Sequence, residues 1–195
     1  MNESENYQKT HKLILSCLKE MILTEPFSKL KITSLTKKAN ISRGTFYIHF
    51  EDLPSAVLEL ENELLQQIIN ELKANKQEVI SLTDDEKLLV MYRKITNAID
   101  ENFDLFEKLM SINGNPEFLK LMKKKLSPFV APEIAIKAPN KHNLPISLAK
   151  ELIIEGIFSI LQFWLTKQPY RTANEIAEYL LETRRLSPFE LAGVE

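Results

Sequence analysis

The sequence predicts an all-α fold, and three observations predict it. Apolar residues recur at helical spacing along almost the whole chain. No run shows the strict alternation of a half-buried strand. Only 4 of the 195 residues are glycine while 44% are hydrophobic, which suits a helical core and not a turn-rich β protein. About nine helices are expected.

The first helix carries Leu13, Ile14, Leu18, Met21 and Ile22 and ends near Glu25-Pro26. A short helix over Ile32 to Ala39 follows, with Ile32, Leu35 and Ala39 on one side. Asn40-Ile41-Ser42 is a turn, and Ser42 is a good N-cap for a second short helix. A long helix starts near Asp52, with Pro54 in its first turn, and runs through Leu58, Leu65, Ile68 and Leu72 to about Lys73. Thr83 or Asp84 caps the next helix, which carries Leu88, Leu89, Met91, Tyr92, Ile95 and Ile99. Shorter helices are expected around Phe103 to Met110 and Pro116 to Leu126. The stretch holding Pro128, Pro132, Pro139 and Pro145 reads as an irregular connection, either a lid or a surface loop. Helices over about Ile146 to Thr166 and Thr172 to Arg185 close the chain. This divides into an N-terminal domain over 1–52, a linking helix over about 52–73, and a C-terminal domain over 74–195.

Bulk properties exclude several function classes. With a net charge of −2 the molecule is no polycation, so nucleic-acid binding must come from a local patch. The N-terminus has no basic region followed by an apolar one, and Leu152 to Leu165 falls short of the roughly 20 apolar residues of a membrane span. The single cysteine, Cys17, permits no internal disulfide and reads as a small buried hydrophobe rather than a redox sensor. These features point to the cytoplasm and away from the membrane. His11, His49 and His142 are far apart, so no metal-ligand spacing is present. No Gly-rich phosphate loop, nucleophile motif or identifiable pair of carboxylates points to an enzyme or calls for a cofactor.

Charge is unevenly placed. Between Pro26 and Phe50 the bases are Lys29, Lys31, Lys37, Lys38 and Arg43 with no acid; from Glu51 to Lys73 there are six acids and one base. A basic stretch can be an ordinary solvated face. Two short helices joined by a tight turn point instead to a helix-turn-helix, whose second helix fits the major groove. At about 100° per residue, Phe46 and Phe50 share an inner face. Gly44, Thr45, Tyr47 and Ile48 face outward, with Arg43 at the N-terminal tip. Gly44 lets the backbone approach DNA, Thr45 and Tyr47 can donate hydrogen bonds, Arg43 suits guanine, and the N-terminus capped by Ser42 offers N–H groups to phosphate. His49 lies between the faces, touching a phosphate or packing at the boundary.

The segment "ITSLTKKANISRGTFYIHFEDLPSAVLE" resembles the helix-turn-helix of the TetR family of transcriptional regulators, specifically over about residues 10 to 72. The resemblance implies that Arg43 and Gly44 lie nearest base edges and that Thr45, Tyr47 and His49 anchor phosphates. It also implies that Thr33 and Ser34 touch the DNA backbone or an edge base. Two positions depart from the family pattern. Lys31 stands where a small hydroxyl residue is usual, and Leu53 where a lysine often contacts phosphate. Loss of that lysine lowers the salt dependence of binding by about one unit, with Lys31 available to compensate.

The resemblance further implies a C-terminal domain that binds an effector and dimerises through the last two long helices. Leu152 to Leu165 is apolar on nearly every side, which itself asks for burial on more than one side. Gly156, Ser159, Ile160, Phe163, Trp164, Ile176, Tyr179 and Leu180 are the candidate dimer residues. Glu155, Ser159, Gln162 and Thr166 form one polar stripe, set in a pocket or at the seam or rim of an interface. Phe103, Phe106, Met110, Phe118, Met122, Phe158 and Gln162 are the candidate effector-pocket residues, with Trp164 beside them; plain core is the alternative for each aromatic and methionine. The first reading is a homodimer that binds a near-palindromic double-stranded operator and is released by an unknown small molecule, most simply a repressor. The second replaces the small molecule by a protein partner and allows activation; an α-helical enzyme is a remote third.

Overall fold

The computed structural model describes residues 3–74, 83–130, 145–167, 170–186 and 188–193. Ten α-helices are present among them: α1 Glu3–Thr24, α2 Ile32–Lys38, α3 Arg43–His49, α4 Leu53–Lys73, α5 Asp84–Asp100, α6 Phe103–Met110, α7 Phe118–Val130, α8 Ile146–Thr166, α9 Ala173–Glu182 and α10 Pro188–Leu191. A single 3-10 turn, Phe27–Lys29, lies between α1 and α2, and the described residues contain no strand. The all-α expectation is met, with α10 an addition to the nine helices expected.

Helix starts follow local chemistry. Ser42 accepts the Thr45 N–H at 2.9 Å at the head of α3. Asp52 and Ser55 cap α4 reciprocally: the Ser55 N–H donates to Asp52 Oδ1 at 2.8 Å, and the Asp52 N–H to Ser55 Oγ at 3.1 Å. Thr83 with Glu86, and Thr172 with Glu175, form capping boxes at α5 and α9. Some boundaries differ from expectation. Helix α7 starts at Phe118 and continues through Pro128 in its last turn, where the missing Pro128 N–H leaves the Lys124 carbonyl without its ladder bond. Helix α9 stops at Glu182. Residues 131–144, which include Pro132, Pro139 and His142, lie outside the described residues.

The chain forms two compact units, one of residues 1–64 and 104–118, the other of 65–103 and 119–195. In the first unit, Ile14, Leu18, Leu35, Phe46, Phe106 and Phe118 are fully buried. Leu13 and Leu58, apolar markers of their helices, are exposed because they stand beside the inward stripes of α1 and α4 rather than on them. Cys17 is buried, as its apolar setting suggested, and burial pushes its thiol pKa up. In the second unit, Tyr92, Ile95, Ile99, Met122, Phe158 and Ile176 lead the core. Trp164 Nε1 of α8 donates to the Arg171 carbonyl, just before α9, at 2.7 Å. No helix among the described residues is long and apolar enough to cross a membrane.

Candidate nucleic-acid interface

The turn between α2 and α3 is held by its own backbone. Asn40 takes the left-handed conformation at φ 52, which asparagine tolerates better than most residues. The Ile41 N–H donates to the Thr36 carbonyl at 3.0 Å and the Asn40 N–H to Lys37 at 3.2 Å, so two orphan carbonyls of α2 are satisfied as the chain reverses. Helix α3 then leaves at a fixed angle.

That helix has the two faces its sequence predicts. Phe46 is 0% exposed and Phe50 is buried, with Phe50 stacked on His11 of α1 at 4.7 Å between ring centroids. Tyr47 is 56% and Ile48 70% exposed; Arg43 and Gly44 are also exposed and Thr45 half-buried. A Cβ at Gly44 would meet only Ser42 Oγ, at 3.6 Å, so packing does not require glycine there. The Ser42 and Thr45 hydroxyls bond each other at 2.8 Å. One proton joins them, which leaves one hydroxyl proton for an outside acceptor.

His49 lies at the boundary. Its ring is half-buried, 4.2 Å from Tyr7 and 5.5 Å from His11 between centroids, and its Nδ1 is buried with no hydrogen-bond partner. Burial, and secondarily the neighbouring His11, lower its pKa, so the ring is neutral at neutral pH. His11 Nε2 in turn meets Glu59 Oε1 at 2.6 Å. The Tyr7–His11–His49 cluster escaped the sequence reading, since nothing local joins residues so far apart.

Of the five bases between Pro26 and Phe50, Lys38 pairs with Glu20 of α1 at 2.7 Å. Lys31, Lys37 and Arg43 are exposed, and no carboxylate among the described residues pairs with them. Thr33 and Ser34 are exposed in the first turn of α2. Lys31 is the N-cap of α2, with extended backbone and no side-chain capping bond. Lys31→Thr is therefore expected to stabilise the protein by about 1 kcal/mol. Urea denaturation checks it; an unchanged midpoint would mean that this helix end gains nothing from a capping hydroxyl.

The regulatory candidates separate by burial. Phe106, Met110 and Phe118 belong to the first unit, and Phe103, Met122, Phe158 and Gln162 to the second. Phe106 and Phe118 pack at 5.8 Å as core, Met122 and Phe158 are also core, and Gln162 is exposed. Phe103 packs between Trp164 and Tyr170, at 5.3 and 5.1 Å. The second unit has a groove of about 410 Å³, but none of the expected pocket residues lines it. Its walls are Tyr92, Leu152, Ile153, Gly156, Ile157, Ile160, Leu180, Thr183, Arg184 and Leu191. Three of these, Gly156, Ile160 and Leu180, were dimer candidates. Trp164, Ile176 and Leu180 are buried within the chain itself, because they stand on the inward stripes of α8 and α9. Gly156, Ser159, Phe163 and Tyr179 are exposed and Ile160 half-buried. In the polar stripe, Glu155 is taken by Lys123 at 2.6 Å, while Ser159, Gln162 and Thr166 are exposed.

Two short helices joined by a tight turn, the second presenting an outward face, define a helix-turn-helix transcriptional regulator with a further helical unit. Residues 86–185, just over half of the chain, match a family model of TetR regulators described as "Transcriptional regulator C-terminal region". The chain belongs to the TetR family of transcriptional regulators. A TetR regulator from Streptococcus agalactiae 2603V has the same fold at TM-score 0.71 and 22% identity, covering 93% of this chain and 96% of that one. A putative TetR-family regulator from Syntrophomonas wolfei gives 0.70 and 20%, covering 91% and 94%. The dihydroxyacetone kinase operon activator DhaS gives 0.58 and 16%, covering 89% and 93%. No curated protein matches the chain.

Proposed function

We propose that the protein is a cytoplasmic, homodimeric, sequence-specific DNA-binding regulator that acts as a ligand-responsive repressor. The observation that carries this is the outward face of α3, held from behind by Phe46 and Phe50 and flanked by Lys31, Lys37 and Arg43, which no carboxylate among the described residues pairs with. Arg43 reads a guanine edge and Gly44 lets the backbone close on the groove. Ser42, Thr45 and Tyr47 meet phosphates, His49 serves as a neutral donor, and Lys31, Thr33 and Ser34 steady the start of α2 on the DNA backbone. Two copies join through α8 and α9, where Phe163 and Tyr179 are exposed and Gly156 and Ser159 let helices approach closely.

Selection of random duplexes on the purified protein should recover a near-palindrome with half-sites about one helical turn apart or a multiple of it. Arg43→Ala should weaken binding to that site by about 10- to 100-fold, corresponding to roughly 1–3 kcal/mol, with helix content unchanged. Wild-type affinity in that variant would sink the reading. A second reading keeps the DNA-binding helices and makes the protein an activator governed by a protein partner. The fold shared with an operon activator favours it. A transcription assay from the selected site, with the sign of the effect as readout, separates the two.

A further inference from the structure

The groove of the second unit holds about 410 Å³, within the range of small-molecule sites. Ile153, Ile157 and Ile160 of α8 and Leu180 of α9 give it apolar walls; Tyr92 and the exposed Arg184 also line it, the Arg184 charge acts on the Tyr92 phenol, and the hydroxyl of Thr183, the remaining polar wall residue, is taken by the Tyr179 carbonyl at 2.6 Å. Nearby cations on the α5–α9 face already have counter-ions: Arg185 pairs with Asp85, and Arg93 lies 3.8 Å from Glu178. Arg184 has no carboxylate partner among the described residues. Burial raises the Tyr92 pKa, partly offset by the Arg184 charge, so this phenol remains a hydrogen-bond donor at neutral pH. One guanidinium and one hydroxyl beside apolar walls make half of a charge-assisted recognition pair.

We propose that this groove binds an amphiphilic monoanion, an alkyl carboxylate of medium chain length. The chain lies along Ile153, Ile157 and Ile160, and the carboxylate accepts hydrogen bonds from Arg184 and the Tyr92 hydroxyl. A polyanion does not fit one cation between apolar walls, and a neutral alkane derivative leaves Arg184 unpaired. The inference deepens the ligand-responsive reading and rests on it only for any effect on DNA; binding is measured without DNA.

Calorimetric titration of the full chain with sodium decanoate, and separately with 1-decanol, tests it. One decanoate per chain is expected, with decanol at least about tenfold weaker. Arg184→Met should weaken decanoate by about tenfold or more and leave decanol within about twofold. Tyr92→Phe, which keeps the ring, should weaken decanoate severalfold. No decanoate binding, equal affinity for acid and alcohol, or an Arg184→Met variant that binds decanoate like wild type would each overturn the proposal. So would decanoate that binds only as dimers dissociate in sedimentation, since a second copy would then fill the groove. DNA affinity of the unliganded protein, taken in parallel, reports on the helix-turn-helix alone, so a failure there is distinguishable from a failure here.

Discussion

Phe46→Ala is expected to cost about 3–5 kcal/mol of stability, the usual range for emptying a phenylalanine site in a closed core. Phe46 is 0% exposed and contacts Phe50 at 5.7 Å and Tyr47 at 5.5 Å between ring centroids. It lies in the unit that also holds the fully buried Ile14, Leu18 and Leu35, a close-packed core that relaxes only in part. Tyr47→Ala, the next residue, should change stability by less than about 1 kcal/mol, because the ring it removes is mostly in water. The same pair should reverse on DNA. Tyr47→Ala loses affinity for the selected operator while remaining folded, and Phe46→Ala loses affinity only to the extent that it unfolds. Urea denaturation of both variants, with operator binding measured at a temperature where each is folded, checks the contrast. Equal stability losses at the two positions would mean that α3 does not hold the orientation described.

That contrast was legible in the sequence because a helix of known period fixes the angle between neighbours. Phe46, Tyr47, Ile48 and Phe50 all fall on the sides their spacing assigns. Caps were legible for the same reason, since Ser42 and Thr83 act on groups three residues away. What the period does not give is how far an apolar stripe extends at its edge. Leu13 and Leu58 stand beside buried neighbours and are exposed, and nothing in their own spacing says so. The face of α8 illustrates the same limit. Its nearly all-round apolarity does not say which side the chain itself covers: Trp164 is buried, while Phe163, adjacent in sequence, is exposed. The groove was not legible at all. It is space left between α5, α8, α9 and α10, and empty volume depends on how helices diverge rather than on the identity of any one residue. His49 was legible only as a boundary residue, which is where it lies, while its partners Tyr7 and His11 came from another helix.

Glu61 is a carboxylate buried in α4. It follows Val57 by four residues and precedes Leu65 by four, so it stands on the buried stripe of α4, and it is 2% exposed. Its Oε1 accepts a hydrogen bond from Asn115 Nδ2 at 2.7 Å. The loop carrying Asn115 is itself pinned. The Phe27 N–H donates to the Asn113 carbonyl at 3.0 Å, and the Asn115 N–H to Leu109 at 3.0 Å. A Cβ at Gly114 would come within 2.3 Å of the Leu109 and Lys108 carbonyls, so only glycine fits between these contacts. Burial raises the Glu61 pKa from 4.5 to about 7, with the Asn115 hydrogen bond pulling the other way. The folded state therefore holds the proton more tightly than the unfolded one. Its contribution to stability is complete below pH 4.5 and is lost as pH rises toward about 7. Glu61→Gln keeps an oxygen for Asn115 and removes the charge. At pH 8 it should be more stable than wild type by about 2–3 kcal/mol, and near pH 4.5 the two should nearly coincide. The other titrating groups are common to both proteins and cancel in the difference. Urea denaturation of the two proteins across the pH range decides it. A gain that did not vary with pH would show that Glu61 is not held neutral in the fold, and a loss at pH 8 would show that its charge is compensated within the buried site.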